Sequence, residues 1–299
     1  MLKRQLSMGP TGVLRAVRRN TRQVVLEGAL AGRALQAERP PPDFVIAGAQ
    51  RCGTTSLFRA LSKHPAMMTN VIDAKGVHYF DTSFHRNDKW YFAHFPSQAE
   101  RDRHTASVGQ NAIVGEASPY YLFHPAGAER MAGTIPDAKI VVLLRDPVKR
   151  AISHHQHMVW EGHEPIENLD EALDLEASRL EGIEERLLAD SSFVSRPHQH
   201  FSYTARGHYA TQLNRLYAHF PRENVLVMAT ENLVGDSKNS LAAIQSFIGL
   251  EPDPTIDLEK RNASSRFEPR PETVRRLADE FSESNERLRE IVDFEIPWR

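Results

Sequence analysis

Two short stretches of this 299-residue chain carry the residue types that grip anions. Gly48-Ala49-Gln50-Arg51-Cys52-Gly53-Thr54-Thr55 has the glycine spacing of a P-loop, in which backbone N–H groups and a helix N-terminus cradle an anion. The lysine that would follow the second glycine is missing: Thr54 stands there, and Arg51 inside the loop can supply the charge instead. A kinase or ATPase without that lysine loses one of its main charge-stabilising groups, and no aspartate-terminated strand stands ready for Mg²⁺. The expected nucleotide is therefore not a triphosphate, with a P-loop nucleotide kinase or NTPase as the alternative. A turn serving connection alone is the bland reading; Arg51, Thr54, Thr55 and Ser56, clustered within one helical turn, weigh against it. The second stretch is Leu144-Arg145-Asp146-Pro147, followed by Arg150 and Ser153. Arg145 at a strand end and Ser153 about two turns into the next helix can converge on one dianionic phosphate, the guanidinium giving two hydrogen bonds and the hydroxyl a third. A purely structural Arg145–Asp146 contact is the alternative.

The elements that must position these residues follow from apolar patterning. Phe44-Val45-Ile46-Ala47 is short enough for a buried strand, and Thr54 to Lys63 reads as the helix after it, closed by His64-Pro65. Ile140 to Leu144 is continuously apolar, as a parallel strand covered on both faces should be, and Pro147 suits the first turn of a helix running to Trp160. Apolar residues at 169, 173, 180, 183 and 187 predict a helix whose eight acids and two arginines over 168–190 form a solvated face. A helix over 207–220, a strand at Val225–Met228, a helix over Ser237–Ile248 and a long helix over Pro271–Val292 complete the pattern. Alternating strands and helices predict an α/β, P-loop-like three-layer fold, with a central mostly parallel sheet flanked by helices and ligands outside the strands' carboxyl ends.

Composition bounds the rest. With 40% apolar and 25% charged residues the chain is an ordinary globular protein, and no stretch approaches the roughly 20 apolar residues of a membrane helix. The single cysteine, Cys52, cannot form an internal disulfide, which with no signal-peptide pattern predicts a cytoplasmic location. The net charge of −2 is uneven: residues 1–40 carry eight Lys/Arg against two Glu, leaving −8 for the body. An acidic body argues against a nucleic-acid partner. Pro40-Pro41-Pro42 separates a basic N-terminal arm (1–42) from the main domain (43–299). The arm is expected to be exposed or packed on the domain, with peripheral contact to an anionic membrane surface as the alternative. Nothing in the sequence sets an oligomeric state.

The segment Gly48 to Leu57 resembles the 5′-phosphosulfate loop of sulfotransferases that use 3′-phosphoadenosine 5′-phosphosulfate (PAPS). Leu144-Arg145-Asp146-Pro147, with Arg150 and Ser153, resembles their 3′-phosphate-binding segment. Lys75-Gly76-Val77-His78-Tyr79-Phe80-Asp81 and Gly115-Glu116-Ala117-Ser118-Pro119-Tyr120-Tyr121 are similar to acceptor-side segments of the heparan sulfate branch, and the Trp298 ending is similar too. The resemblance implies a soluble, bacterial-type, PAPS-dependent enzyme that sulfates a hydroxyl of a carbohydrate or glycolipid, releases adenosine 3′,5′-bisphosphate and requires no metal. It implies donor contacts from Arg51, Cys52, Gly53, Thr54, Thr55, Ser56, Arg145 and Ser153, with Arg261 of Lys260-Arg261-Asn262 closing over the 3′-phosphate.

Sulfuryl transfer needs cationic donors at the SO₃ group and a base at the acceptor. Arg51 suits the first task; the family commonly has lysine there, whereas arginine stays protonated and works through charge and hydrogen bonds. The branch's glutamate base falls on Gly76, which has no side chain to accept a proton. His78 lies two residues on and would share a face with position 76 in an extended segment, with Asp81 to orient it. Glu116 is the second candidate base, and a packing role beside Tyr79 and Phe80 is the bland reading of His78. Ala117 stands where the family often has lysine, which points away from a strongly sulfated acceptor. Gly76 also motivates a third reading, a catalytically silent PAPS-binding protein. His154, His155 and His157 lack a flanking cysteine or carboxylate and carry no metal-site expectation. Cys52 is read as a small filler or as a thiol made reactive by a helix N-terminus. Arg206-Gly207-His208-Tyr209 is read as a helix entry or, by resemblance, as a tyrosine approaching the donor.

Overall fold

The computed structural model describes residues 26–69, 76–259 and 268–298. Five parallel strands form one sheet in the order β2-β3-β1-β4-β5: β1 Phe44–Gly48, β2 Met67–Met68, β3 Ile113–Ala117, β4 Lys139–Leu144 and β5 Val225–Ala229. Every residue of β1 is buried, as are all but the first of β4, so these two apolar runs are the two-sided centre of the sheet. The chain leaves β1 toward β2 and β3, then crosses to the other side of β1 for β4. The switch point where an open α/β sheet binds ligands thus lies at the carboxyl ends of β1 and β4.

The helices after these strands carry the two anion-binding stretches. Helix α2 (Thr54–Leu61) follows β1 and buries Thr54, Leu57, Phe58, Ala60 and Leu61. The helix after β4, α7 (Pro147–Trp160), opens with Pro147 and is capped by Asp146, whose carboxylate accepts from the amides of Val148 (3.0 Å) and Lys149 (3.4 Å). Asp146 therefore serves the helix and pairs with Lys149, not with Arg145.

Three regions differ from the sequence reading. Residues 169–188 do not form one helix; Leu169–Asp174, Glu176–Leu180 and Ile183–Ala189 are separate short helices, the last entered through Gly182 at φ 67°. Nor is their acidic face wholly solvated, because buried Glu176 turns inward to accept from the amides of Thr204 and Ala205. Strand β3, which the sequence reading did not identify, pairs with β1 and carries Glu116 in its interior. The helix expected over 207–220 spans Tyr209–Tyr217, after a 3₁₀ turn at Ala205–Gly207.

Of the basic arm, only its last part is described. Residues 26–36 are helical and pack on the domain: Leu30 is buried, and the Arg33 guanidinium donates to the carbonyls of Ala93 and Phe95, both at 2.8 Å. Among the described residues, no helix is long and apolar enough to cross a membrane.

Candidate active site

The loop after β1 and the strand end at β4 face one another. Arg51 and Gly53 both adopt left-handed backbone, at φ 71° and 86°, and swing the chain into α2. No side chain caps α2, so its first amides, from Thr54 to Ser56, keep the unpaired character of a helix N-terminus. The Arg51 guanidinium donates from Nε to Ser153 Oγ at 3.1 Å, and Arg145 Nη1 approaches the Arg51 carbonyl at 3.5 Å. Arg150 is fully buried; one nitrogen donates to the Tyr203 carbonyl while Nε and Nη1 have no partner. Burial first, then Arg145 and Arg150, hold the Arg51 guanidinium below its ordinary range. Among the described residues none of the three arginines forms an ion pair with a carboxylate. Three guanidinium groups and an uncapped helix thus share one place with no carboxylate ion-paired to any of them among the described residues, an arrangement that favours a multiply charged anion.

Two side chains lock this geometry. Thr230 Oγ1 donates toward the carbonyls of Cys52 (2.7 Å) and Leu144 (2.8 Å), bridging the two loops. Buried Tyr209 donates to the Arg145 carbonyl at 2.9 Å, with Cys52 Sγ 3.8 Å from its hydroxyl. Tyr209 is therefore more than a helix-entry residue. Cys52 has its amide on the Ala49 carbonyl and its thiol buried, so both polar groups are engaged inside the loop. Burial pushes that thiol up to about 11. Native Cys52 should resist iodoacetamide at pH 8 for hours; labelling within minutes, read by mass spectrometry, would show the thiol to be activated.

His78 is not in an extended segment. At φ 56° it precedes a short helix, Tyr79–Thr82, which brings Asp81 back to it: His78 Nδ1 lies 2.8 Å from Asp81 Oδ2, the carboxylate being buried and the imidazole half exposed. The Gly76 position is sterically closed. A Cβ there would run into the Ala117 carbonyl and the Ser118 hydroxyl, so the backbone lies directly on the end of β3. Gly76→Ala should lower stability by about 1–3 kcal/mol, seen as a drop in Tm; an unchanged Tm would mean the segment has room to move.

Glu116 points into the protein interior. It is fully buried, Oε2 accepting from the Val77 amide (2.7 Å) and Ser118 (2.8 Å), and Oε1 from Tyr91 (2.7 Å) and Tyr121 (3.1 Å). Burial pushes its carboxyl above the usual range against the pull of these donors. Four donors occupy the group, which corrects its reading as a second base: it anchors the segment entering His78. Glu116→Leu leaves those four donors without their acceptor, and a loss of several kcal/mol is expected in denaturant unfolding.

His78 opens on a cleft of about 550 Å³, also lined by Gln50 of the first loop, Tyr120, His157, Glu161, His200 and Arg206. The loop and His78 thus border one space. The three histidines of α7 diverge: His154 is fully buried against Tyr203, His155 Nε2 meets the Ile166 carbonyl at 2.9 Å, and His157 faces the cleft. Among the described residues no group of three metal-ligating side chains converges. Lys75, Lys260, Arg261 and Asn262 lie outside the described residues.

A sulfotransferase-domain family profile matches residues 41–287. The membrane-associated sulfotransferase kil1 of Dictyostelium discoideum is 23% identical, over 86% of this chain and 66% of that protein. The mouse heparan sulfate glucosamine 3-O-sulfotransferase 3A1 is 30% identical, over 75% of this chain and 50% of that one. The chain therefore spans between half and two thirds of these two relatives. Among solved structures, a sulfotransferase from Alicyclobacillus acidocaldarius is 29% identical with a TM-score of 0.62, covering 86% of this chain and 98% of its own. A profile that takes in both cationic loops and the His78 segment, on a sheet shared with a solved sulfotransferase, makes this chain a member of the sulfotransferase-domain family.

Proposed function

We propose that the protein transfers the sulfuryl group of PAPS to a hydroxyl of a carbohydrate or glycolipid. The observation that carries this reading is the cluster of Arg51, Arg145 and Arg150 beside an uncapped α2, with no carboxylate paired to any of them among the described residues. When bound, the donor supplies an activated sulfuryl group on a phosphate leaving group. In this reading the amides from Gly53 to Ser56 and the hydroxyls of Thr54 and Thr55 hold its 5′ end, while Arg145 and Ser153 hold its 3′-phosphate. Arg51, beside Ser153, neutralises charge on the transferring group and the departing phosphate oxygen. Asp81 fixes the His78 tautomer with the proton on Nδ1, leaving Nε2 to take the acceptor's hydroxyl proton. We place the enzyme in a reducing, cytoplasmic compartment, a reading supported by its single buried cysteine.

Calorimetry with purified protein tests the donor: adenosine 3′,5′-bisphosphate should bind at micromolar or tighter concentration without Mg²⁺, and more tightly than ATP with Mg²⁺. The opposite order would favour the kinase reading. Binding of the bisphosphate without transfer of ³⁵S from labelled PAPS to any acceptor in a cell extract would favour a silent binding protein.

A further inference from the structure

The cleft beside His78 sets groups that both give and accept hydrogen bonds, the amides of Gln50 and Gln199 and the imidazoles of His157, His163 and His200, into a wall that offers more apolar than polar surface. An apolar wall set with such groups suits a sugar ring, which has an apolar face and a rim of hydroxyls. Its charge is equally informative. The described lining residues include an exposed carboxylate, Glu161, and no exposed cation. Arg206 is only 2% exposed; it is sandwiched by the rings of Tyr120 and Phe123, both 4.7 Å away, with one nitrogen donating to the carbonyls of His198 and Gln199. Exposed Arg196 is turned to the His163 carbonyl at 3.4 Å and does not line the cleft. His200, stacked 4.4 Å from His163, is driven down to about 4 by burial and by His163, so it is neutral at pH 7. A polyanionic chain would meet an unneutralised carboxylate here.

At the end of α7 stands a large aromatic side chain that the fold does not use. Trp160 is 59% exposed and stacks its indole at 6.0 Å and 22° on His157, whose ring lines the cleft. Trp160 does not itself line the cleft but stands outside it, next in sequence to Glu161, where an exposed indole can receive the apolar face of a pyranose whose hydroxyls meet the polar groups inside.

We infer that the acceptor is an uncharged pyranose, stacked at its outer face on Trp160, and that Glu161 selects against sulfated or carboxylated glycans. The inference rests on the sulfuryl-transfer reading and narrows it. Cleft volume agrees: about 550 Å³ lies in the range of small-ligand sites and is enough for one or two sugar rings.

The test uses the full chain with ³⁵S-labelled PAPS and octyl β-glucoside, octyl β-galactoside and octyl α-mannoside as neutral probes, with heparan sulfate as the anionic one. At least one glycoside should be sulfated with kcat/KM at least about tenfold above that for heparan sulfate. Trp160→Ala should raise KM for that glycoside about tenfold, with Trp160→Phe restoring most of it and affinity for adenosine 3′,5′-bisphosphate unchanged. Glu161→Lys should shrink the preference over heparan sulfate by about tenfold. A preference for heparan sulfate, an unchanged KM in Trp160→Ala, or bisphosphate binding with no glycoside sulfated would each overturn the inference. Failure to bind the bisphosphate at all would overturn the donor reading as well, which separates the two.

Discussion

His78→Ala lowers turnover by about 10²- to 10⁴-fold, with affinity for adenosine 3′,5′-bisphosphate kept within about twofold. The magnitude is that of a general base removed from the transition state. The split between turnover and donor affinity follows from placement, because His78 borders the cleft while the donor reading rests on Arg51, Arg145 and α2. Its Asp81 contact gives a second handle. Asp81→Asn keeps the shape but removes the charge that stabilises the imidazolium formed on proton transfer, so kcat should fall while acceptor KM stays within about twofold. Single-turnover kinetics with saturating PAPS separates these effects from product release. Turnover in His78→Ala within about threefold of the parent would leave the imidazole as a packing group beside Tyr121.

Arg145→Ala raises the Kd for adenosine 3′,5′-bisphosphate by about 10²-fold and leaves the Kd for AMP within about threefold. Hydrogen bonds between charged partners contribute about 1.5–3 kcal/mol each, and one such bond at the upper end or two at the lower end give about that ratio. Arg145 is suited to the test because its own contact is weak, a single 3.5 Å approach to the Arg51 carbonyl, so its removal disturbs little of the fold. Arg150→Ala is not a clean substitute: Arg150 is fully buried and holds the Tyr203 carbonyl, so its loss would also unfold the packing between α7 and the 3₁₀ turn. Equal losses for the two nucleotides on replacing Arg145 would put the 3′-phosphate elsewhere.

Much of the frame around the two cationic loops is legible in the sequence because its elements are local. Phe44–Gly48 and Lys139–Leu144 announce themselves as continuous apolar runs, and the arginine-bearing loops follow each at once. The surroundings of Glu116 and His78 are not local. Glu116 reads as a candidate base from its segment alone, and only the distant Tyr91, Tyr121 and Val77, folded around it, show that its oxygens are taken. The helical period over 169–188 was real in the side chains yet blind to Glu176, which turns inward to receive amides of the Thr204 turn. His78 shows both sides of this: its residue type and its spacing to Asp81 suggest the pair, while the left-handed turn that joins them is invisible in the sequence. The cleft itself unites Gln50, the end of α7 and residues 199–206, a conjunction that no single segment encodes.

A crystal structure of the protein with adenosine 3′,5′-bisphosphate bears most directly on the account. One nucleotide should span the two loops, its 5′-phosphate on the amides of α2 beside Arg51 and its 3′-phosphate within hydrogen-bonding distance of Arg145 and Ser153. A nucleotide held by one loop alone, with its second phosphate in solvent or on other residues, would contradict it.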